Sequence, residues 1–381
     1  MKRFFKKTIF IIIYILVCLF LFELSLSIFD KEIILVKSYD SSLLFTMYPN
    51  KKGKVVSEEY SVEVETNKYG FRQKINPDKK YPTLLIGDSF TEGWGVKEEE
   101  IYVQKANLLL PPDKQILNMG VHGSSPILYA LQLNYYINIF KPTNVIIQLF
   151  DNDLDDNEKT ERFIQFNESG IPISPKSRIA PVIFGETIYN TVKESVLYRL
   201  VSRIVKTIKK EPSPILYYKP GKEPIIAMLT HESSIQKYGK LKPLGDEIHS
   251  KYNGQFEFYV KSNEEPWISR FKKNKIYLET IASICKSHNI RLSFLYIPAK
   301  EFFAPNGITG KYNSNTLEYY NKLNPFYNHI KEICDANSLD CLYANEYFFD
   351  KNPESLYFPY DAHLNRKGHE VLSELLVEKL K

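Results

Sequence analysis

The sequence predicts an α/β domain with a parallel sheet flanked by helices on both faces, behind an apolar amino-terminal segment. Three observations predict this. From residue 82, short apolar runs alternate with helical stretches in a βαβαβ order, which demands crossover connections and so a parallel sheet. The same rhythm returns from about residue 272. The first 22 residues are basic at their tip and then almost wholly apolar.

Thr8–Phe22 is an unbroken apolar or weakly polar run; Glu23 interrupts it, and Leu24–Phe29 is mostly apolar again. Counted to Phe29, it reaches the roughly 20 residues needed to cross a bilayer as a helix. Glu23 then lies near the far interface, where a carboxylate costs less than at the midplane. The bases before the run and the acid at its end predict the tip inside and the bulk outside. The runner-up is a secreted protein with a cleavable signal peptide, for which Ser25-Leu26-Ser27 is a passable cleavage site. Cys18 after Leu16-Val17 is a poor lipid-attachment site.

Residues 30–80 read as a connector with short strands; Tyr60–Thr66 alternates polar and apolar residues, as a half-buried strand does. Thr83–Ile86 is the first core strand. A helix is predicted over Lys97–Leu110, with Glu98, Glu99 and Glu100 suited to its first turn and Pro111-Pro112 stopping it. Gln115–Asn118 is a second strand. Ser124 or Ser125 can cap a helix that runs to about Ile139 with Pro126 in its first turn. Asn144–Phe150 is a third strand. In the second half, helices are expected over Lys272–His288, Thr316–Ala336 and Gly368–Leu380, with strands at Arg291–Ile297 and Cys341–Tyr343. The interval 156–270 breaks the rhythm and reads as an insertion into a domain spanning 81–381. Within it, Glu186–Lys210 has an apolar stripe of Ile188, Val192, Leu197, Leu200, Val201, Ile204, Val205 and Ile208 and a basic opposite face. The expected reading of that stripe is the core face of a helix; a helix lying on an anionic membrane is the alternative.

The 381 residues are 44% hydrophobic and 25% charged, which excludes collagen-like and wholly disordered chains. The formal charge is +5, yet Lys2, Arg3, Lys6 and Lys7 supply four of those units. The body is nearly neutral, so nucleic-acid binding has no support from bulk charge. Of the four cysteines, Cys18 lies in the apolar segment, and no pair of Cys285, Cys334 and Cys341 has metal-ligand spacing. Cys334 and Cys341 can pair in an oxidising compartment; the favoured reading is three small buried hydrophobes.

The chemistry is expected at the carboxyl edge of the sheet, where open parallel sheets place their sites. Gly87-Asp88-Ser89-Phe90 follows the first strand, so Ser89 stands at a strand end and a helix start. Gly123 follows the second strand, and a glycine there lets a backbone N–H approach a substrate closely. Asn152 follows the third strand, and its amide can donate to the same point. His363 precedes the last helix, two residues after Asp361. A serine nucleophile needs a base, an orienter for the base and donors for the oxyanion, and these residue types supply them in turn. Asp88 is expected to brace the nucleophile turn. Asp153, with Asp155 and Asp156, forms an acidic cluster at the same edge, but without His or Glu partners at set spacing it predicts no metal. His122 and His369 are read as a loop residue and a packing or capping residue.

These blocks, Gly87-Asp88-Ser89-Phe90-Thr91, Gly123, Asn152-Asp153 and Asp361-Ala362-His363, resemble those of the SGNH (GDSL-type) hydrolase superfamily over about 83–153 and 272–381. The resemblance implies a flavodoxin-like three-layer α/β/α fold. It implies Ser89 as nucleophile, with Ser89 N–H, Gly123 and Asn152 as oxyanion hole, and no cofactor. Many members have Asp three residues before the His, where this chain has Tyr360. The shorter Asp-x-His spacing resembles extracytoplasmic members that handle acetyl groups on polysaccharides. The third block carries Phe150-Asp151 where many members have glycines, which narrows the pocket. The expectation is a membrane-anchored serine esterase facing the outside, acting on an ester-bearing small molecule or carbohydrate. The alternatives are an O-acetyltransferase on the same site and a non-catalytic module that kept the fold.

Overall fold

The computed structural model describes residues 2–29, 37–57, 59–76, 80–198, 201, 202, 205, 216–218, 258–300, 324–358 and 361–381. The chain divides into two compact units. One comprises Met1–Val36, Lys52–Glu63 and Arg178–Gly239, the other Lys37–Lys51, Val64–Ser177 and Lys240–Lys381.

The second unit opens with a hairpin of β1 (Lys37–Asp40) and β2 (Leu44–Met47). Leu44 of this hairpin is buried in an apolar cluster with Ile127, Leu128, Leu131, Ile164 and Tyr277. β3 (Lys52–Val56) belongs to the first unit, and β4 (Ser61–Glu65) runs from the first unit into the second. The parallel core follows: β5 (Thr83–Gly87), a single turn α2 (Ser89–Glu92), α3 (Tyr102–Leu109), β6 (Ile116–Gly120), α4 (Pro126–Phe140), β7 (Asn144–Phe150) and α5 (Asp153–Glu161). A small hairpin of β8 (Ile164–Phe166) and β9 (Pro172–Pro175) comes next.

The first unit contains α1 (Lys2–Phe29), α6 (Ile179–Phe184), α7 (Glu186–Glu194) and β10 (Leu216–Tyr218), which pairs antiparallel with β3. The second unit resumes with α8 (Phe258–Lys261), α9 (Trp267–Ser287), β11 (Arg291–Ile297), α10 (Pro325–Asn337), β12 (Leu342–Tyr343), α11 (Ala344–Phe349) and α12 (Arg366–Leu380).

The five-stranded sheet has the order β12-β11-β7-β5-β6, and all four neighbouring pairs are parallel. In core-strand order this is 2-1-3-4-5, the flavodoxin-like arrangement the resemblance implies. Strands buried on both faces read as continuous apolar runs, and Leu84, Leu85 and Ile86 are fully buried. Each contributes roughly 1.5–3 kcal/mol relative to exposure. The Gly87↔Gly120 pair ends β5 and β6 at the carboxyl edge. A Cβ on Gly120 would stand 2.1 Å from Glu92 N, and one on Gly87 would stand 2.3 Å from Thr91 Oγ1. Two glycines therefore let the α2 turn settle directly on the strand ends.

Several expectations need correction. Lys97–Leu110 is not one helix: a 3-10 turn at Glu98–Glu100 precedes α3, because Ile101 is extended between them. The helix expected from Lys272 starts earlier, at Trp267, just after Pro266. Within the helix expected over Thr316–Ala336, α10 begins at Pro325, since a ring without an N–H fits a first turn; residues 316–323 lie outside the described residues. Cys334 and Cys341 form a disulfide, with Cα atoms 6.4 Å apart, so only Cys285 of the three behaves as a small buried hydrophobe. The sequence spacing did not reveal that the turn after α10 brings the two residues face to face. The amphipathic stretch from Glu186 breaks at Ser195, which leaves helical geometry with φ −63°, ψ 143°. Its members Ile188, Val192, Val201 and Val205 are exposed and Leu197 is half-buried, so the described part of the stripe is not a core face. Leu200, Ile204 and Ile208 lie outside the described residues.

Candidate active site

The site is built where β5 turns into α2. Asp88 caps that turn: its Oδ1 accepts the Phe90 N–H at 2.9 Å, while its own N–H donates to Gln148 Oε1 at 3.1 Å. Gln148 Oε1 also accepts from Thr91 Oγ1 at 2.9 Å, and Thr91 Oγ1 meets Tyr102 Oη at 2.8 Å. The turn that carries Ser89 is thus tied at its start and middle to β7 and α3. Asp88 is fully buried and its Oδ2 has no hydrogen-bond partner among the described residues. Burial pushes its carboxyl up to about 7, against the opposing pull of the Phe90 N–H and His363.

Ser89 and His363 lie 274 residues apart in sequence and meet at 2.7 Å between Oγ and Nε2. On the other ring nitrogen, His363 Nδ1 lies 2.5 Å from Asp361 Oδ1. An ionised Asp361 can only accept, so Nδ1 carries the proton and Nε2 is free to accept the serine O–H. Burial lowers the His363 pKa, but Asp361 outweighs it, with Asp88 and Glu92 adding negative charge, and the imidazole ends above its ordinary value. Phe90 and Trp94 pack on the ring, with centroids 4.9 and 5.9 Å away, which restricts its orientation.

The loop presenting Asp361 and His363 is held by Asn365. Its Nδ2 donates to Ser355 O and Tyr357 O, both at 2.9 Å, while its Oδ1 caps α12 by accepting the N–H groups of Lys367 and Gly368. Ala362 sits at φ +66°, with its N–H donating to Phe358 O at 3.3 Å. Gly368 allows the last helix to close on this loop, since a Cβ there would stand 2.1 Å from Leu356 O.

Gly123 adopts φ +65°, a left-handed conformation that suits glycine. A Cβ on it would stand 2.5 Å from Lys37 Nζ. Asn152 ends β7's turn, but its Nδ2 donates to Asp156 Oδ2 at 3.0 Å, leaving the second amide hydrogen for another acceptor. Asp153 turns back on the end of β7 and on α4: Oδ2 accepts the Phe150 N–H at 3.0 Å and Oδ1 the Tyr129 hydroxyl at 3.4 Å. Asp155 pairs with Arg270 at 2.7 Å and Asp156 with Lys159 at 2.8 Å. The acidic cluster is divided among separate partners. Among the described residues, no group of three or more His, Cys, Asp or Glu side chains is placed to hold a metal ion.

Sequence reasoning missed the Glu92–His122 pair. Glu92 lies on the turn of Ser89, is almost fully buried, and its Oε2 receives the backbone N–H of His122 at 2.7 Å and His122 Nδ1 at 2.8 Å. Burial alone would raise the Glu92 carboxyl, but His122 and the Arg72 guanidinium together hold it below its ordinary value. Arg72, also buried, donates to Gly93 O and Val96 O. Glutamate and histidine 30 residues apart carry no sequence signal of pairing. His369 is buried away from this chemistry: its Nδ1 accepts the Tyr102 N–H at 3.3 Å, and burial pushes its pKa down to about 3.

No family model matches the chain, and no curated protein matches it. Solved structures match at low identity. The psychrotrophic esterase EstA from Pseudoalteromonas sp. is 12% identical, with 78% of this chain and 95% of that chain covered and a TM-score of 0.38. A catalytic mutant of Axe2, an acetylxylan esterase from Geobacillus stearothermophilus, is 11% identical over 81% and 96%, with a TM-score of 0.37. A GDSL-like lipase from Bacteroides thetaiotaomicron is 10% identical over 81% and 90%, with a TM-score of 0.35. At these values the likeness adds nothing to what the residues themselves support.

Proposed function

We propose that the chain is a serine ester hydrolase of the SGNH type, held at a membrane by its amino-terminal helix and working on the outer side. The observation that carries this is the continuous path from Ser89 Oγ to His363 Nε2 and from His363 Nδ1 to Asp361 Oδ1. Ser89 Oγ attacks the ester carbonyl carbon while its proton passes to His363 Nε2. Asp361 stabilises the imidazolium and holds its tautomer. The carbonyl oxygen, now negative, receives the N–H groups of Ser89 and Gly123 and the second Asn152 amide hydrogen. His363 then protonates the departing alcohol oxygen, leaving an acyl group on Ser89. A water, deprotonated by His363, attacks that acyl carbon, releases the acid and restores Ser89 Oγ–H.

The substrate class we infer is an acetyl ester on a carbohydrate. The Asp-x-His spacing supports it, by resemblance to extracytoplasmic members that handle polysaccharide acetyl groups. Phe150-Asp151, standing where many members have glycines, also supports a small acyl group. The same features support O-acetyl transfer, in which a sugar hydroxyl replaces the water. Detergent-solubilised protein supplied with p-nitrophenyl acetate and an oligosaccharide acceptor separates the two. Free acetate as the product at all acceptor concentrations is the expected result; acetylated oligosaccharide in its place assigns the transferase. Absence of both products would reject the catalytic reading.

Anchoring is inferred from Lys7–Ser25, a helical stretch apolar enough to cross a membrane with none of it buried. Carbonate-washed membranes should retain the full chain at its unprocessed mass. A soluble, shortened product would instead indicate a cleaved signal.

A further inference from the structure

We propose that α6, α7 and the stretch that follows lie in the lipid–water interface of an anionic bilayer, tied there by Glu23 of α1. The proposal rests on the reading of α1 as a membrane span. All the parts belong to one compact unit.

Glu23 is the acid that interrupts an otherwise apolar run. Its two carboxylate oxygens are filled by the chain itself: the Val196 N–H donates to Oε1 at 2.6 Å and the Leu197 N–H to Oε2 at 2.9 Å. These donors follow the break at Ser195, where a helix restarts and backbone N–H groups have no partner one turn earlier. A carboxylate at the edge of hydrocarbon and two such N–H groups are each costly there, and each removes the other's cost. The pairing also sets a level. Glu23 lies 16 residues beyond Lys7, about 24 Å along a helix, which brings it to within about 6 Å of the far boundary of a hydrocarbon core about 30 Å thick. Residues 196 and 197 are held at that level.

The neighbouring helices present an apolar surface. Val182 is 69% exposed, Ile183 66%, Ile188 58% and Val192 52%, against 56% for Ile11 and 66% for Phe20 of the apolar helix itself. A water-facing surface seldom carries so many large apolar side chains on consecutive short helices. Arg178 opens α6, and Lys193 Nζ lies 5.5 Å from the centre of the Tyr189 ring. Long basic side chains beside aromatic rings suit an interface, where stems lie in the apolar layer and charges reach headgroups. Arg199, Arg203, Lys206, Lys209 and Lys210 continue the basic character in sequence, which favours anionic lipid. The stripe that fails as a core face thus has an occupant in the bilayer that α1 enters.

The test uses the full chain in vesicles of phosphatidylcholine and phosphatidylglycerol, in a Cys18→Ser background. Cys285 is buried and Cys334–Cys341 is bonded, so one added cysteine takes the label. Single variants Val182→Cys, Ile188→Cys, Val192→Cys, Leu19→Cys and Leu108→Cys carry an environment-sensitive fluorophore. Lipids brominated near the headgroup should quench the labels at 182, 188 and 192 at least about twofold more than that at 108. Lipids brominated deep in the chain should quench the label at 19. Quenching at 19 with none at 182, 188 and 192 overturns the proposal and leaves the span standing. Absence of quenching at 19 as well overturns both. Labels at those three sites that report an apolar setting only as protein concentration rises assign the surface to a second copy and also overturn it. Glu23→Leu should at least halve quenching at 192 while leaving 19 unchanged; unchanged quenching at 192 overturns the tie.

Discussion

Asp361 sets both the tautomer and the basicity of His363, and that gives the site a pH signature. Only neutral His363 can take the serine proton, so activity falls as pH drops through its pKa, which Asp361 raises above the usual histidine value. In Asp361→Asn the raising charge is gone, so the acid limb of the kcat/KM profile should move to lower pH while kcat falls by orders of magnitude. An unmoved limb would show that another group sets it. The same charge makes a stability contribution. A histidine pKa raised by folding stabilises fully below its unfolded value near 6.5 and ceases to do so as pH rises through the folded value. Glu92 acts through another residue. Its carboxylate joins the turn of Ser89 to the residue before Gly123, so it holds two of the proposed oxyanion donors in register. Glu92→Ala should cost about 10- to 100-fold in kcat with KM little changed, and Glu92→Gln, which keeps an acceptor, should recover part of the loss. An equal rise in KM would assign Glu92 to substrate binding instead. The Ser89 block was legible because it follows a core strand, and the Asp361–His363 block because it precedes the last helix. The Glu92–His122 pair was not, because it depends on how closely the β6 end packs on the α2 turn.

That close packing belongs to the elements. A methyl group on Gly120 would strike the backbone of Thr91 and Glu92, which cannot give way as a flexible side chain would. Gly120→Ala should therefore displace the Ser89 turn, lowering kcat and destabilising the fold by about 1–3 kcal/mol, read by kinetics and thermal melting. β7 and β11 were legible to the residue, as largely apolar runs that hold only Gln148 and Ser293 as polar residues after their first position. Element ends were less so: Ile101 adopts an extended conformation that its apolar character does not announce, and it divides a stretch of otherwise helical pattern. The disulfide ties the end of α10 to the start of β12 through a loop so short that its entropic contribution is about 2–3 kcal/mol. Cys341→Ser should lower the melting temperature by a few degrees without altering kcat.

For the whole molecule, the surplus charge is gathered at one end. Four of the five surplus positive charges sit at the tip of the apolar helix, and the rest of the chain is close to neutral. A neutral body suits an uncharged ester better than a polyanion. The interval 156–270 was legible only as a break in rhythm. Part of it, Arg178–Gly239, groups with the amino-terminal helix, through a contact between Glu23 and residues 196–197 that no local pattern encodes. The central claim is that Ser89 is the nucleophile. It is tested most directly by the steady-state hydrolysis of p-nitrophenyl acetate by Ser89→Ala beside the unaltered protein. The expected result is a fall to the uncatalysed background with the thermal melt preserved. Hydrolysis at the unaltered rate would contradict it.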